Sequence, residues 1–279
     1  MKRVFNIIII SLLIVSLFSC DTLKNNESKK MDEAGLGTTE LIVFAAASMT
    51  ETMTEIKKLY ESQNNSVNIT YNFDSSGTLL KQILLGADVD IFISAAMKQM
   101  DTLDITSDGT KNKERNDYIL EGTRISLLEN KVALAVPDGN PKQINSFLDL
   151  KGDKLSLLAI GNSDVPVGAY TLEILSYIGK EVSEFEKEGK ITYGSNVKEV
   201  TTQVKEGIVD AGIIYATDAK SANLEVVDLA TKEMCRQVIY PAAVMKNTKN
   251  EDEAKKFLNY LTSDEARKVF ESVGFTVLN

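Results

Sequence analysis

Apolar residues along the chain come in short continuous runs that alternate with amphipathic stretches. Leu41-Ile-Val-Phe-Ala-Ala-Ala47 is uninterrupted, as in a strand buried on both faces. Met49, Met53, Ile56, Leu59 and Tyr60 then recur at three- and four-residue steps, which predicts a helix over 49–63. Ser48, with Glu51 three residues on, has the form of a capping box for that helix. The alternation continues with a strand over 67–73, a helix over 77–85, a strand over 89–94 and a short helix over 98–103. Beyond Gly122, strands are expected over 124–128 and 131–136, ending at the turn signal Pro137-Asp-Gly-Asn-Pro141. A helix over 146–150, a strand over 155–161 and a helix over 170–179 follow. After a charged connection come a helix over 197–206 and a strand over 211–215. Strands over 224–229 and 237–244 and helices over 251–262 and 264–272 close the series. This succession predicts an α/β fold with mostly parallel sheets flanked by helices, in two lobes. No repeat of solenoid period is present.

The N-terminus follows a different pattern. Met1-Lys2-Arg3 is a short cationic start to an apolar stretch over 4–18, about 15 residues against the ~20 needed to cross a bilayer as a helix. It reads as a secretory signal. Its end, Leu17-Phe18-Ser19-Cys20, resembles the lipobox of bacterial lipoproteins, with Phe18 bulkier than usual there; the resemblance implies lipidation at Cys20. Residues 21–40 are polar and lack an apolar pattern, as expected of a flexible tether. With Cys20 so used, Cys235 has no intrachain partner and reads as a small structural residue.

Composition narrows the chemistry. The 279 residues carry 31 Lys plus Arg against 40 Asp plus Glu, a net charge of −9. Losing Lys2 and Arg3 with the signal leaves 29 basic residues against 40 acidic, or −11. No dense basic run occurs in the body, which excludes the electrostatic footprint of nucleic-acid binding. The absence of His removes Ser-His and Cys-His nucleophile pairs, His-ligated zinc and an imidazole base. No cofactor and no directly coordinated metal ion is expected.

In open α/β sheets ligands sit beyond the carboxyl ends of strands, where loops enter helix N-termini. Four such junctions carry small or hydroxyl residues: Ala47-Ser48, Ser75-Ser76-Gly77-Thr78, Pro166-Val167-Gly168 and Asn196-Val197. Converging helix N-termini can hold an anion without Lys or Arg, although capping alone accounts for each junction taken singly.

These residues resemble a family. Phe44-Ala-Ala-Ala-Ser48, Phe73-Asp-Ser-Ser-Gly-Thr-Leu79 with Gln82-Ile83 and Gly86-Ala87, and Asp90-Ile-Phe-Ile-Ser-Ala95 are similar to the N-terminal motifs of the ModA-type molybdate-binding proteins of ABC transporters. Val165-Pro-Val-Gly-Ala-Tyr170, Gly212-Ile-Ile-Tyr-Ala-Thr-Asp218, Tyr240-Pro-Ala-Ala-Val244 and Gly274-Phe-Thr276 extend the resemblance to the C-terminus. The resemblance implies a type II periplasmic-binding-protein fold with the ligand in the cleft between its lobes. Residues 41–123 and 241–279 would form one lobe and 124–240 the other. It also implies an oxyanion site of Ser48 and Ser76 through N–H and hydroxyl, Val167 and Val197 through N–H, and the Tyr215 hydroxyl. Read alone, Tyr215 at the end of an apolar strand is a core aromatic. Val167 stands where the family has a small residue, and Asp74 and Gly77 depart from its Ser- or Ala-rich loop; the Asp74 side chain is expected to point away from the anion.

The implied protein is a monomer outside the cytoplasm, held by its lipid anchor to the outer face of the cytoplasmic membrane or in the periplasm. It carries molybdate or tungstate to an ABC permease. Two alternatives are another tetrahedral oxyanion such as sulfate, and a secreted hydrolase using Ser48 or Ser76 with a Lys, Asp or Glu base. Lys81 lies five residues from Ser76 and forms no Ser-x-x-Lys motif. An adhesive or structural lipoprotein is a third, which would show no ligand response.

Overall fold

The computed structural model describes residues 38–278. The signal, Cys20 and nearly all of the expected tether lie outside the described residues. The first lobe begins with β1 (Thr39–Ala46), α1 (Thr50–Gln63), β2 (Val67–Asp74), α2 (Ser76–Leu84), β3 (Ile91–Ile93) and α3 (Met97–Leu103). A long irregular stretch leads to β4 (Ile125–Asn130) and directly to β5 (Val132–Val136). The chain continues through β6 (Leu158–Gly161), α4 (Pro166–Tyr177), α5 (Val182–Lys187), β7 (Ile191–Gly194), α6 (Val197–Lys205), β8 (Ala211–Tyr215), α7 (Ala216–Ala222) and β9 (Glu225–Leu229). It ends with β10 (Val238–Val244), α8 (Glu251–Tyr260), α9 (Asp264–Val273) and β11 (Thr276–Val277).

Two sheets result, in the orders β11-β4-β10-β3-β1-β2 and β7-β6-β8-β5-β9. Both are mixed rather than mostly parallel. The βαβ units pair β1 with β2 and β3, and β6 with β7 and β8, in parallel. Strands at the crossings between lobes run against them: β10 against β3 and β4, and β5 against β8 and β9. A strand that enters a sheet from the opposite lobe without a crossover helix arrives antiparallel.

The lobe boundary also moves. A division at 123/124 assigns Ile125–Asn130 to the second lobe, but β4 pairs with β10 and β11 in the first sheet, where Leu127 and Leu128 are buried. The chain changes sheets at Lys131, and the return is complete at Val238 rather than at 241. Register slips between Tyr240 and Pro241, where proline lacks the N–H a regular ladder requires.

Three further expectations change. The predicted capping box at Ser48 is not formed: Met49 precedes α1 and no side-chain cap is present. Ser48 instead lies in a single 3-10 turn, Ala47–Met49. The helix expected from Tyr170 begins at Pro166, since proline at the first position has no N–H to leave unpaired. The charged connection after Gly179 holds α5 and β7; only Phe185 of α5 is buried, so its polar residues carry almost no amphipathic signal.

Candidate functional site

The carboxyl ends of β1, β2, β6, β7 and β8 feed helix starts, and contacts between them join the strand ends of the two sheets. Ser48, Ser76, Val167, Val197 and Tyr215 are all at most 5% exposed there. Neither serine is a helix cap. In α2 the cap is Ser75, whose Oγ accepts from Thr78 N–H at 3.1 Å. In α6 the cap is Asn196, which accepts from Glu199 N–H at 3.1 Å. Capping therefore accounts for Ser75 and Asn196, and leaves the neighbouring donors over.

The first turn of a helix has N–H groups with no intrahelical acceptor. In α2, Thr78 N–H goes to its cap and Gly77 N–H to the Asp164 carbonyl at 2.9 Å, which leaves Ser76 N–H. In α4, Pro166 has no N–H and Gly168 N–H bonds the Val165 carbonyl, which leaves Val167 N–H. In α6, the cap takes Glu199 N–H and leaves Val197 and Lys198. The donors that remain carry the positive ends of their helices.

Tyr215 ends β8 and is 1% exposed, and its hydroxyl makes no hydrogen bond of normal geometry among the described residues. Its ring packs edge-on to Tyr170 of α4 and to Tyr240 of β10. Burial pushes the Tyr215 and Tyr240 phenols well above the ordinary range, so both stay protonated donors near neutral pH. A fully buried phenol without an acceptor costs about 1–3 kcal/mol. The sequence-based weighting of Tyr215 as a core aromatic explains its ring and leaves its hydroxyl unexplained.

Contacts across the cleft describe closed lobes. Besides the Gly77 bond, Lys81 Nζ of α2 lies 2.5 Å from Asp164 Oδ2. Gly77, which departs from the family loop, has a physical reason: a Cβ there would lie 2.4 Å from the Asp164 carbonyl oxygen. On the other side Lys198 Nζ reaches Glu51 of α1 at 2.7 Å and Asp218 of α7 at 3.0 Å. The partly exposed Lys81 pair is worth about 1 kcal/mol or less. Asp74, the other departure, turns its Oδ1 back to accept the Ser75 N–H at 2.6 Å.

Sequence reasoning missed Lys198, Asp218, Asn130 and Tyr240. Lys198 has one local signal: a cation in the first turn of a helix opposes the dipole and so needs a carboxylate nearby. The other three act through contacts distant in sequence. A hydrolase finds no support here. Ser48 Oγ is paired with the Tyr240 hydroxyl, Ser76 Oγ accepts from Ala95 N–H, and Lys81 is turned to Asp164. A separate groove of about 660 Å³ includes Asp104, Arg124 and Lys246. Arg124 is already taken by Asp101 and Asp104 at 2.5 and 2.7 Å, so it has little to offer an anion. Cys235 is buried and its thiol pKa raised by that burial, in keeping with a packing role.

Asp218 is fully buried, and burial raises its pKa from 3.8 to about 6 despite Lys198. Lys198 at 3.0 Å lies off the hydrogen-bonding direction, and neither carboxylate oxygen makes a well-formed hydrogen bond. A raised acid contributes stability below its unfolded pKa and loses it as pH rises through the folded one. Asp218→Asn should therefore raise the melting temperature at about pH 7.5 by the equivalent of at most about 3 kcal/mol, with the gain fading toward about pH 4. A lower melting temperature at pH 7.5 would mean that the pairing with Lys198 outweighs desolvation.

Comparison with known proteins places this geometry. The model for the bacterial extracellular solute-binding protein family matches residues 41–276. YvgL of Bacillus subtilis, provisionally named an ABC transporter substrate-binding lipoprotein, is 38% identical over 238 residues, 85% of this chain and 86% of its own. The molybdate-binding protein ModA of Haemophilus influenzae is 32% identical over 256 residues, 87% of this chain and 94% of its own. Among solved structures, the periplasmic molybdate-binding protein of Azotobacter vinelandii superimposes with a TM-score of 0.72 at 20% identity, covering 86% of this chain and all of that one. No helix among the described residues is long and apolar enough to cross a membrane. The chain belongs to the bacterial extracellular solute-binding protein family, as an ABC-transporter binding protein of the ModA type and not an enzyme.

Proposed function

We propose that the protein captures molybdate or tungstate in the closed cleft and presents it to an ABC permease. The observation that carries this reading is the Tyr215 hydroxyl, buried without an acceptor beside helix starts whose first N–H groups are uncommitted. Ser48, Ser76, Val167, Val197 and Tyr215 are then the ligands. All are donors and all are neutral. A fully ionised tetrahedral anion has only acceptor oxygens and satisfies such a set, whereas a protonated phosphate brings a hydrogen with no acceptor to receive it. Size separates molybdate and tungstate from the smaller sulfate. Because the ligands come from both lobes, the bound anion favours the closed state.

The similarity to YvgL, whose name includes "lipoprotein", supports lipidation at Cys20, which lies outside the described residues. A Cys20→Ser variant is then released from the membrane fraction; one that stays membrane-bound refutes the anchor.

Calorimetry and thermal shift with molybdate, tungstate, sulfate, phosphate and nitrate test the site. Molybdate or tungstate at about 100 times its dissociation constant should stabilise the protein by roughly 2.7 kcal/mol. Tyr215→Phe should weaken binding by roughly 1–3 kcal/mol. No response to either anion at millimolar concentration refutes the reading, and unchanged affinity in Tyr215→Phe removes that hydroxyl from the site. Gly77→Ala should weaken molybdate binding by about tenfold or more while leaving the unliganded melting temperature nearly unchanged, because its clash forms only when the lobes close. Wild-type affinity in Gly77→Ala would separate the Asp164 contact from binding.

A further inference from the structure

We propose that Tyr240 is a positioning residue that fixes the direction in which the Ser48 hydroxyl donates, with Asn130 behind it as the source of that direction. The inference rests on Ser48 being an anion ligand.

The chain of bonds starts at the point where the backbone changes sheets. Asn130 Oδ1 accepts the Lys131 N–H at 2.8 Å. A backbone N–H can bond only the oxygen of that amide, so the orientation of the Asn130 side chain is set and its Nδ2 faces inward. Nδ2, a donor only, lies 2.9 Å from Thr217 Oγ1 and 3.3 Å from the Tyr240 hydroxyl. The Tyr240 oxygen is therefore an acceptor toward Asn130. Among the described residues its other well-formed hydrogen bond is to Ser48 Oγ at 2.8 Å. The phenolic proton goes to Ser48, and Ser48 accepts it. The serine's own proton is left to point away from Tyr240.

Ser76 is arranged by the same logic with a different donor. Its Oγ accepts the Ala95 N–H at 2.9 Å, which again leaves its proton free to donate. At Ser76 a backbone group sets the direction irreversibly. At Ser48 the same work is done by a side chain that can also accept, and Asn130 biases the choice: with Asn130 and Ser48 both donating to it, the Tyr240 oxygen would leave its own proton without a well-formed acceptor among the described residues. With the polarity reversed, Ser48 would donate to Tyr240 and turn a lone pair toward the anion, exchanging an attraction for a repulsion.

The phenol is well placed for this task. Tyr240 is fully buried, packs edge-on to Tyr215 and Phe275 at centroid distances of 5.8 and 5.3 Å, and precedes the register slip at Pro241. A phenylalanine keeps the ring contacts and removes only the hydroxyl.

The test is a double-mutant cycle on molybdate affinity, measured by calorimetry on the full chain with Tyr240→Phe, Ser48→Ala and the pair. Tyr240→Phe should weaken binding by about tenfold in the otherwise wild-type protein. In the Ser48→Ala background it should change affinity by less than about twofold, and in a Ser76→Ala background it should keep its full effect. A residue that only supports packing would weaken all three alike. Asn130→Ala, which removes the donor behind Tyr240 but leaves both hydroxyls, should lose affinity in the same Ser48-dependent way and serves if Tyr240→Phe fails to fold. Wild-type affinity in Tyr240→Phe, or an undiminished loss in the Ser48→Ala background, overturns the inference and leaves the molybdate reading standing. A wild-type protein that does not bind molybdate removes the ground beneath both; a Ser48→Ala variant that binds it as well as wild type overturns the inference alone, since the Ser48 hydroxyl is then no ligand.

Discussion

A dianion held by neutral groups imposes one requirement on everything around it: each donor must have nowhere else to go. An N–H or O–H that can find an acceptor in the protein gains little by turning to a ligand, because the exchange of one hydrogen bond for another is nearly even. The fold meets the requirement at each position by a different local device. Ser75 and Asn196 take the third N–H of their helices and leave the earlier ones. Pro166 removes a donor outright, and Ala95 N–H fills the Ser76 oxygen. Tyr215 is sealed among Tyr170 and Tyr240, and its hydroxyl makes no hydrogen bond of normal geometry among the described residues. Because these devices sit at the ends of strands from two sheets, the proposed donor set is complete only when the lobes are closed.

Charge enters the structure at the edges of this site rather than in its lining. The net charge of −9 is spread over the surface and is screened beyond a Debye length of about 8 Å at physiological ionic strength. What acts inside the cleft is local: helix ends, oriented N–H groups and the pair of buried Asp218 with the half-buried Lys198, whose opposite charges offset each other. Lys198 is shared between Asp218 of its own lobe and Glu51 of the other. Although burial opposes its charge, these two carboxylates hold its pKa above the ordinary value. The cation thus ties α6 to α1 across the cleft. Lys81 and Asp164 form a second junction on the far side of the cleft, where Gly77 allows the two backbones to touch.

Much of the fold was legible because its strands are continuous apolar runs and its longer helices are amphipathic: Leu41–Ala47, 211–215 and 251–262 needed nothing beyond periodicity. Elements without such a signal were not. The α5–β7 segment is dominated by Glu and Lys, α7 follows β8 with no turn between them, and β11 has two residues. The positions of Ser48, Ser76, Val167, Val197 and Tyr215 at or just past strand ends were readable, and the candidacy of Tyr215 as a ligand came only through the family resemblance. Their roles depend on partners that no local pattern reveals. Ser48 has the spacing of a capping residue relative to Glu51, yet its hydroxyl bonds Tyr240, 192 residues away, while Glu51 pairs with Lys198 across the cleft. Gly77 stood out in the sequence only as a departure, and its reason is the backbone of the opposite lobe.

The most direct measurement is a crystal structure of the protein grown with molybdate. One anion should lie between the lobes, its oxygens accepting from the Ser48 and Ser76 hydroxyls and N–H groups, from Val167 and Val197 N–H, and from the Tyr215 hydroxyl. No lysine or arginine should touch it. An anion bound instead through a basic side chain, or a closed cleft in which the Tyr215 hydroxyl still has no acceptor, would contradict a site built from neutral donors.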